Sequence, residues 1–281
     1  MKENKPNILW ITTDQQRYDT IGALGNKYIN TPNLDRLVRN GIAFRNSYCQ
    51  SAVCTPSRSS FLTGMYPSAV HGCQNGNDHW IGSAPLVTKI LADYGYKCGL
   101  IGKLHLAGMY GRIEPRGDDG YTYYQNSSSP LDIWEKGHDY ADWVKSKGYK
   151  LGDFVKLQNG DKAIEIQKGV PSHLHQTTWC TEKAIEFIES NNGLPWLLSV
   201  NPHHPHPPFN TPEDYLSRYN YKDLPEPLFR ESDLENQHSL KNIDFQTECN
   251  YPSKFRAKEL KAAYYSCVVL IDKNVGRIIN L

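Results

Sequence analysis

Apolar residues come in two rhythms along this chain. Short continuous apolar runs, the mark of strands buried on both faces, cover Asn7 to Thr12, Ile42 to Tyr48, Lys97 to Ile101 and Trp196 to Val200. Between them lie stretches with helical spacing. Thr31-Pro32-Asn33 opens a helix, with Thr31 as cap and Pro32 in the first turn; Leu34, Leu37 and Val38 form its apolar face and Gly41 ends it. Pro56 to Leu62 reads as a short helix stopped by Gly64, and Leu86 to Tyr94 as another closed by Gly95. His175 to Asn191 is a helix ended by Gly193, and Lys258 to Leu281 is a last amphipathic helix. From Ala107 to about Val170 the rhythm decays into Gly, Asp, Tyr and Ser, with Trp134 and Trp143 embedded. An excursion of that length is often functional. Pro202 to about Tyr251 also reads as irregular. Strands alternating with helices predict an α/β sandwich around a largely parallel sheet.

Bulk properties narrow the function classes. The 281 residues are 39% hydrophobic and 22% charged, enough for a sizeable core. A formal net charge of +1 argues against a nucleic-acid partner or an electrostatic membrane anchor. No run approaches a membrane span, and no apolar leader precedes Asn7, so the chain as written reads as cytoplasmic. The seven cysteines (49, 54, 73, 98, 180, 249 and 267) are odd in number and form no CxxC pair. That argues against a disulfide framework and a thiolate zinc site, and most of them, Cys54 excepted, read as small buried hydrophobes.

In parallel sheets, ligands gather beyond the carboxyl ends of strands, and four polar clusters fall just after predicted strands. Cys54 directly precedes the helix begun by Pro56, where amides and dipole favour negative charge, and Arg58 lies one turn later. A packed cysteine beside a surface arginine would read the same way. Asp14-Gln15 follows the first run; two oxygen donors suit a hard cation, though a polar turn needs none. Lys103 and His105 follow the run ending at Ile101, and an extended segment would point both side chains one way. The fourth cluster, His203-His204-Pro205-His206-Pro207-Pro208-Phe209, suits either a transition metal or a stiff exposed loop.

Together these residues resemble the sulfatase family. Cys54-Thr55-Pro56-Ser57-Arg58, continued by Ser59, Leu62, Thr63 and Gly64, is similar to the C-x-P-S-R signature. Pro6 through Gln15 resembles the family's opening segment, with Gln15 where a second acid often stands. Gly102-Lys103-Leu104-His105-Leu106 is similar to G-K-W-H-L, and His206-Pro207-Pro208-Phe209 to an H-x-P-F-like loop. Ala263 through Arg277 resembles the family's late helix.

The resemblance implies an alkaline-phosphatase-like fold over residues 1–281 and hydrolysis of sulfate monoesters. It implies that Cys54 becomes formylglycine through a formylglycine-generating or sulfatase-maturing enzyme, with Arg58, Lys103, His105 and His206 as its catalytic partners. Asp14, Gln15 and residue 54 would ligate a divalent metal, Ca2+ or alternatively Mg2+. It also implies a further strand with an Asp-His or Asp-Asn pair and a lysine beyond Leu281. The chain is therefore expected to be truncated before its C-terminal part, with half a metal site and little activity. The substrate would be a small-molecule or carbohydrate sulfate ester. Tyr121, Tyr123, Tyr124, Trp134, Tyr140 and Trp143 are candidates to stack on sugar rings, or simply to pack. Three alternatives stay open: a phosphonate or phosphate monoester hydrolase of the same superfamily, a non-catalytic degenerate paralogue, and a histidine-loop transition-metal protein.

Overall fold

The computed structural model describes residues 5–75, 77–80, 84–109, 113–129, 137–155, 166, 169–238 and 251–281. Four strands pair in parallel: β1 (Ile8–Ile11), β2 (Lys97–Gly102), β3 (Tyr123–Asn126) and β4 (Trp196–Asn201), in spatial order β1-β4-β2-β3. The helices are α1 (Pro32–Asn40), α2 (Cys54–Thr63), α3 (Val87–Asp93), α4 (Asp139–Ser146), α5 (Gln176–Ser190), α6 (Glu213–Leu216), α7 (Glu231–His238) and α8 (Ala257–Ile278).

The strand runs are continuously apolar because both sheet faces are covered. Alternation sorts their side chains. Leu9, Ile11, Ile101, Leu198 and Val200 pack with Trp179, Ala184 and Phe187 of α5, Tyr140 and Val144 of α4, and Ile278 of α8. Ile8, Trp10, Leu100 and Leu197 point the other way, onto Phe61 and Leu62 of α2 and Val87 and Leu91 of α3. The result is a three-layer sandwich with α2 on one side and α4, α5 and α8 on the other. No described helix is long and apolar enough to cross a membrane.

Several elements depart from the sequence reading. Ile42 to Tyr48 is not a strand: no described strand lies beside it, and Ile42, Phe44 and Tyr48 are exposed. The excursion from Ala107 contributes β3, whose Tyr-Tyr-Gln-Asn sequence lacks an apolar run, and α4, which enters the core. Its aromatics pack. Tyr121 is buried with its hydroxyl 2.8 Å from Ser199 Oγ, and the buried Tyr140 donates to the Leu174 carbonyl at 2.8 Å. Trp143 stacks on Tyr140, while Trp134 lies outside the described residues. Among the described residues from Pro202 to His238, the segment is irregular except for α6, α7 and a short 3-10 turn at Tyr221–Asp223. Thr31 precedes α1 but makes no capping bond from its side chain. Cys98, Cys180 and Cys267 are buried, Cys49 and Cys73 are exposed, and Cys249 lies outside the described residues.

Candidate active site

The carboxyl ends of β1, β2 and β4 deliver the polar clusters to one place, as a parallel sheet does. Asp14 follows β1, Lys103 and His105 follow β2, and the histidine loop follows β4. The turn after β2 needs glycine at its start. Gly102 has φ +100, and a Cβ there would lie 2.1 Å from the Asn201 carbonyl oxygen. That same carbonyl accepts from the Lys103 amide at 3.0 Å, so the close approach sets where Lys103 leaves the sheet.

Cys54 is the first residue of α2 rather than the residue before it, because Val53 occupies the cap position and its carbonyl accepts from Ser57 N at 3.0 Å. The Thr55 amide of this first turn donates to Asn75 Oδ1 at 2.8 Å. Gly64, at φ +69, ends the helix.

Four side chains meet there. Lys103 Nζ lies 2.5 Å from Asp14 Oδ2 and donates to Cys54 Sγ at 3.6 Å. The Cys54 thiol faces Asp14 Oδ1 at 3.8 Å. Arg58 Nη2 lies 3.5 Å from Asp14 Oδ2, the oxygen that Lys103 also meets, while its Nη1 donates to the Lys103 carbonyl at 2.7 Å. Asp14, Arg58 and Lys103 are buried, and Cys54 is half-buried. Burial alone would raise the Asp14 pKa. Lys103 and Arg58, with the more distant His206 and His203, outweigh it and hold the carboxyl far below its usual range. Two buried cations against one carboxylate leave an excess of positive charge beside Sγ, and its electrostatic complement is an anion.

The histidines enclose this centre as neutral bases. Burial, then Lys103 and Arg58, push His105 down to about 2, against the pull of Asp14. Burial and Lys103 likewise lower His206, opposed by Asp14 and by the Pro207 carbonyl, which lies 2.5 Å from its Nδ1. With Nδ1–H spent on that carbonyl, Nε2 is the atom left to exchange protons. His203 packs on His206, with ring centroids 4.6 Å apart, and its Nδ1 and Nε2 lie 3.1 Å from the Ser128 and Pro207 carbonyls.

The expected extended Lys103–His105 segment is not there. The strand ends at Gly102 and His105 sits at φ +57, so a left-handed turn brings both residues to the centre. Gln15 is exposed at φ +60; its backbone carbonyl accepts from Tyr264 Oη at 2.6 Å, and no hydrogen bond joins its side chain to the cluster among the described residues.

Among the described residues, no group of three or more His, Cys, Asp and Glu is placed to hold a metal ion. The histidine loop gathers no carboxylate or thiolate partner among the described residues for the transition-metal centre that its spacing allowed. A hard divalent cation takes six or more oxygens. Asp14 offers the single carboxylate here, already facing two cations. The described residues do not compose such a site.

Three further residues of the site were not singled out from the sequence. Asn201 Nδ2 donates to the Lys103 carbonyl at 2.9 Å, while its Oδ1 is buried without a partner. Gln176 links two loops, accepting from His203 N at 3.2 Å and donating to Ser127 Oγ at 3.1 Å. Glu114 accepts from backbone amides of the turn after β2. A polar residue closing an apolar run was a legible hint for Asn201; Gln176 and Glu114 carry none.

Known proteins bear on this arrangement. The profile of the Sulfatase family matches residues 6–281. The chain is 30% identical to an arylsulfatase of Clostridium perfringens over 287 residues, covering 98% of this chain and 59% of that protein. It is 28% identical to an N-acetylglucosamine-6-O-sulfatase of Bacteroides thetaiotaomicron, covering 85% of this chain and 39% of that protein. The fold superposes on the phosphonate monoester hydrolase of Agrobacterium radiobacter with a TM-score of 0.74 at 21% identity, covering 98% of this chain and 59% of that one. The chain thus spans about half the length of the curated relatives it matches, and its fold is alkaline-phosphatase-like.

Proposed function

The chain belongs to the sulfatase family, and from that membership we propose that it is the catalytic portion of an enzyme that hydrolyses sulfate monoesters at residue 54. One observation carries the proposal. The Cys54 side chain lies within 4 Å of both Lys103 Nζ and the Asp14 carboxylate, in the cation-rich cluster at the carboxyl ends of the strands. A packed structural thiol would instead lie among apolar groups.

Converted to formylglycine by a maturing enzyme, residue 54 supplies a hydrated aldehyde, an oxygen nucleophile that can be regenerated. The chain's own residues do the rest. Lys103 and Arg58 bind the sulfate oxygens and offset charge developing on them. Asp14 keeps both cations in place between turnovers. His206 Nε2, the atom left by the Pro207 contact of Nδ1, takes the proton of the attacking hydroxyl and hands it to the leaving alcohol oxygen. His105 takes up the proton of the second diol hydroxyl when sulfate departs, its basicity raised by the bound anion that offsets Lys103 and Arg58.

A divalent cation, Ca2+ or Mg2+, is expected with this family, but the described residues do not fit it, since Asp14 is already paired with Lys103 and Arg58. No step above passes through it. The name of the Bacteroides relative supports a sulfated carbohydrate as substrate, and that of the Clostridium relative an aryl sulfate.

The test has two parts. Mass spectrometry of the peptide containing Cys54, from cells with and without a sulfatase-maturing enzyme, should show the thiol replaced by an aldehyde only when that enzyme is present. Turnover of an aryl sulfate should then exceed that of the matched phosphate and phosphonate esters. Faster phosphonate cleavage would move the assignment to that reaction, and an intact Cys54 thiol in active protein would end the proposal.

A further inference from the structure

Glu114 takes no part in the steps above, yet it is buried beside the residues that do. Its carboxylate sits among three consecutive backbone amides. Oε2 accepts from His105 N at 2.6 Å, and Oε1 accepts from Leu106 N at 2.5 Å and from Ala107 N at 2.8 Å. Successive amides converging on one anion form a nest, the arrangement by which backbones hold phosphate. Here the chain furnishes the anion itself.

The amides belong to the turn that carries Lys103 and His105. His105 at φ +57 is in a conformation that a residue with a Cβ keeps only when its surroundings hold it. The bond from its own amide to Glu114 is one such hold. The carbonyl side of the same turn is pinned as well. Arg58 Nη1 and Asn201 Nδ2 donate to the Lys103 carbonyl at 2.7 and 2.9 Å. Acceptors on one edge and donors on the other leave the segment little freedom. Burial pushes Glu114 up to about 7, opposed by the three amides and by Arg58, which favour the carboxylate.

We propose that Glu114 is a positioning residue whose carboxylate clamps the 105–107 amides and thereby fixes the backbone that carries the His105 imidazole. The part concerning turnover rests on the sulfatase reading; the clamp does not.

The test compares Glu114→Gln and Glu114→Asp with the wild-type chain. Glutamine replaces one acceptor oxygen with an amino group that faces a backbone N–H. Aspartate keeps the charge but withdraws it by one methylene. Amide hydrogen exchange in Glu114→Gln should speed at residues 105–107 by about tenfold or more, while β2 and β4 stay protected. The His105 imidazole should titrate closer to its ordinary 6.5 in that variant, and well below it in the wild type. With a sulfate ester, kcat should fall by about tenfold or more with KM little changed, and Glu114→Asp should recover part of the loss.

Unchanged exchange at 105–107, or an unchanged His105 titration, overturns the clamp. Lost protection with unchanged kcat overturns the positioning role and leaves a structural anchor. A full-length, matured wild-type enzyme that cleaves no sulfate ester counts against the sulfatase reading, while exchange and the His105 titration still decide the clamp. Should Glu114→Gln fail to fold, Glu114→Asp is judged by the same readings, with smaller changes in the same direction.

Discussion

Asp272 of α8 holds Asn33 at the start of α1, 239 residues away in the chain. Its Oδ1 accepts from the Asn33 amide at 2.9 Å and the Leu34 amide at 2.8 Å, and its Oδ2 accepts from Asn33 Nδ2 at 2.9 Å. These amides are among the unpaired donors of a helix N-terminus, where a carboxylate also meets the favourable end of the dipole. Thr31 instead donates its hydroxyl to Asp35 at 2.9 Å and accepts from the Gly22 amide.

Asp272→Ala should therefore destabilise the fold by about 2 kcal/mol, the cost of a lost cap with buried donors left unpaired. Thr31→Val should cost less, since the α1 cap is not its work. Denaturant midpoints for the two variants check the order.

Asp14 is the sole carboxylate in direct contact with the two buried cations among the described residues. Asp14→Asn leaves Lys103 and Arg58 uncompensated, and should cost about 3–5 kcal/mol along with the activity. The pH dependence follows from the sign of the shift. A folded pKa far below the ordinary 3.8 means a contribution present above that value and lost as pH falls beneath it. Acid unfolding below pH 3.8 should be shallower in Asp14→Asn than in the wild type.

His138 caps α4, accepting from the Ala141 amide at 3.3 Å, and burial pushes its pKa down from 6.5 to about 4. The unfolded chain then binds the extra proton between those two values, so this contribution is complete above pH 6.5 and declines as pH falls towards 4. His138→Asn keeps a capping side chain without the titration. It should reduce the slope of unfolding free energy in that window by up to about 1.4 kcal/mol per pH unit. Chemical denaturation at several pH values measures it.

Gly102→Ala places a Cβ 2.1 Å from the Asn201 carbonyl at a left-handed backbone position. The neighbour is backbone and cannot yield. The substitution should cost about 3 kcal/mol or more, and a soluble remnant should lose turnover because Lys103 leaves the sheet at this point. Thermal melts with turnover on the surviving fraction check both.

The local pattern carried the scaffold well. β1, β2 and β4 were readable because a strand buried on both faces must be apolar throughout, whatever its neighbours are. The stop of α2 at Gly64 was readable because a left-handed cap strongly favours glycine. Asp14, Cys54, Arg58, Lys103 and His206 could be nominated because each stands at a strand end or helix start, where a parallel sheet collects its ligands.

Other features had no local cause to read. β3 is a half-buried strand whose tyrosines pack on distant partners such as Phe187, so its four residues show no apolar run. Ile42 to Tyr48 carries strand-like residues, but pairing needs a neighbour, and none lies beside it among the described residues. Asp272 capping α1, and Glu114 gripping the turn that bears His105, join groups far apart in the chain or outside any periodic pattern. A hydrogen-bond acceptor serves whichever amide the packed chain brings to it. Apolar spacing specified which segments are buried, while the pairing of charges and amides around residue 54 arose from how those buried segments stack.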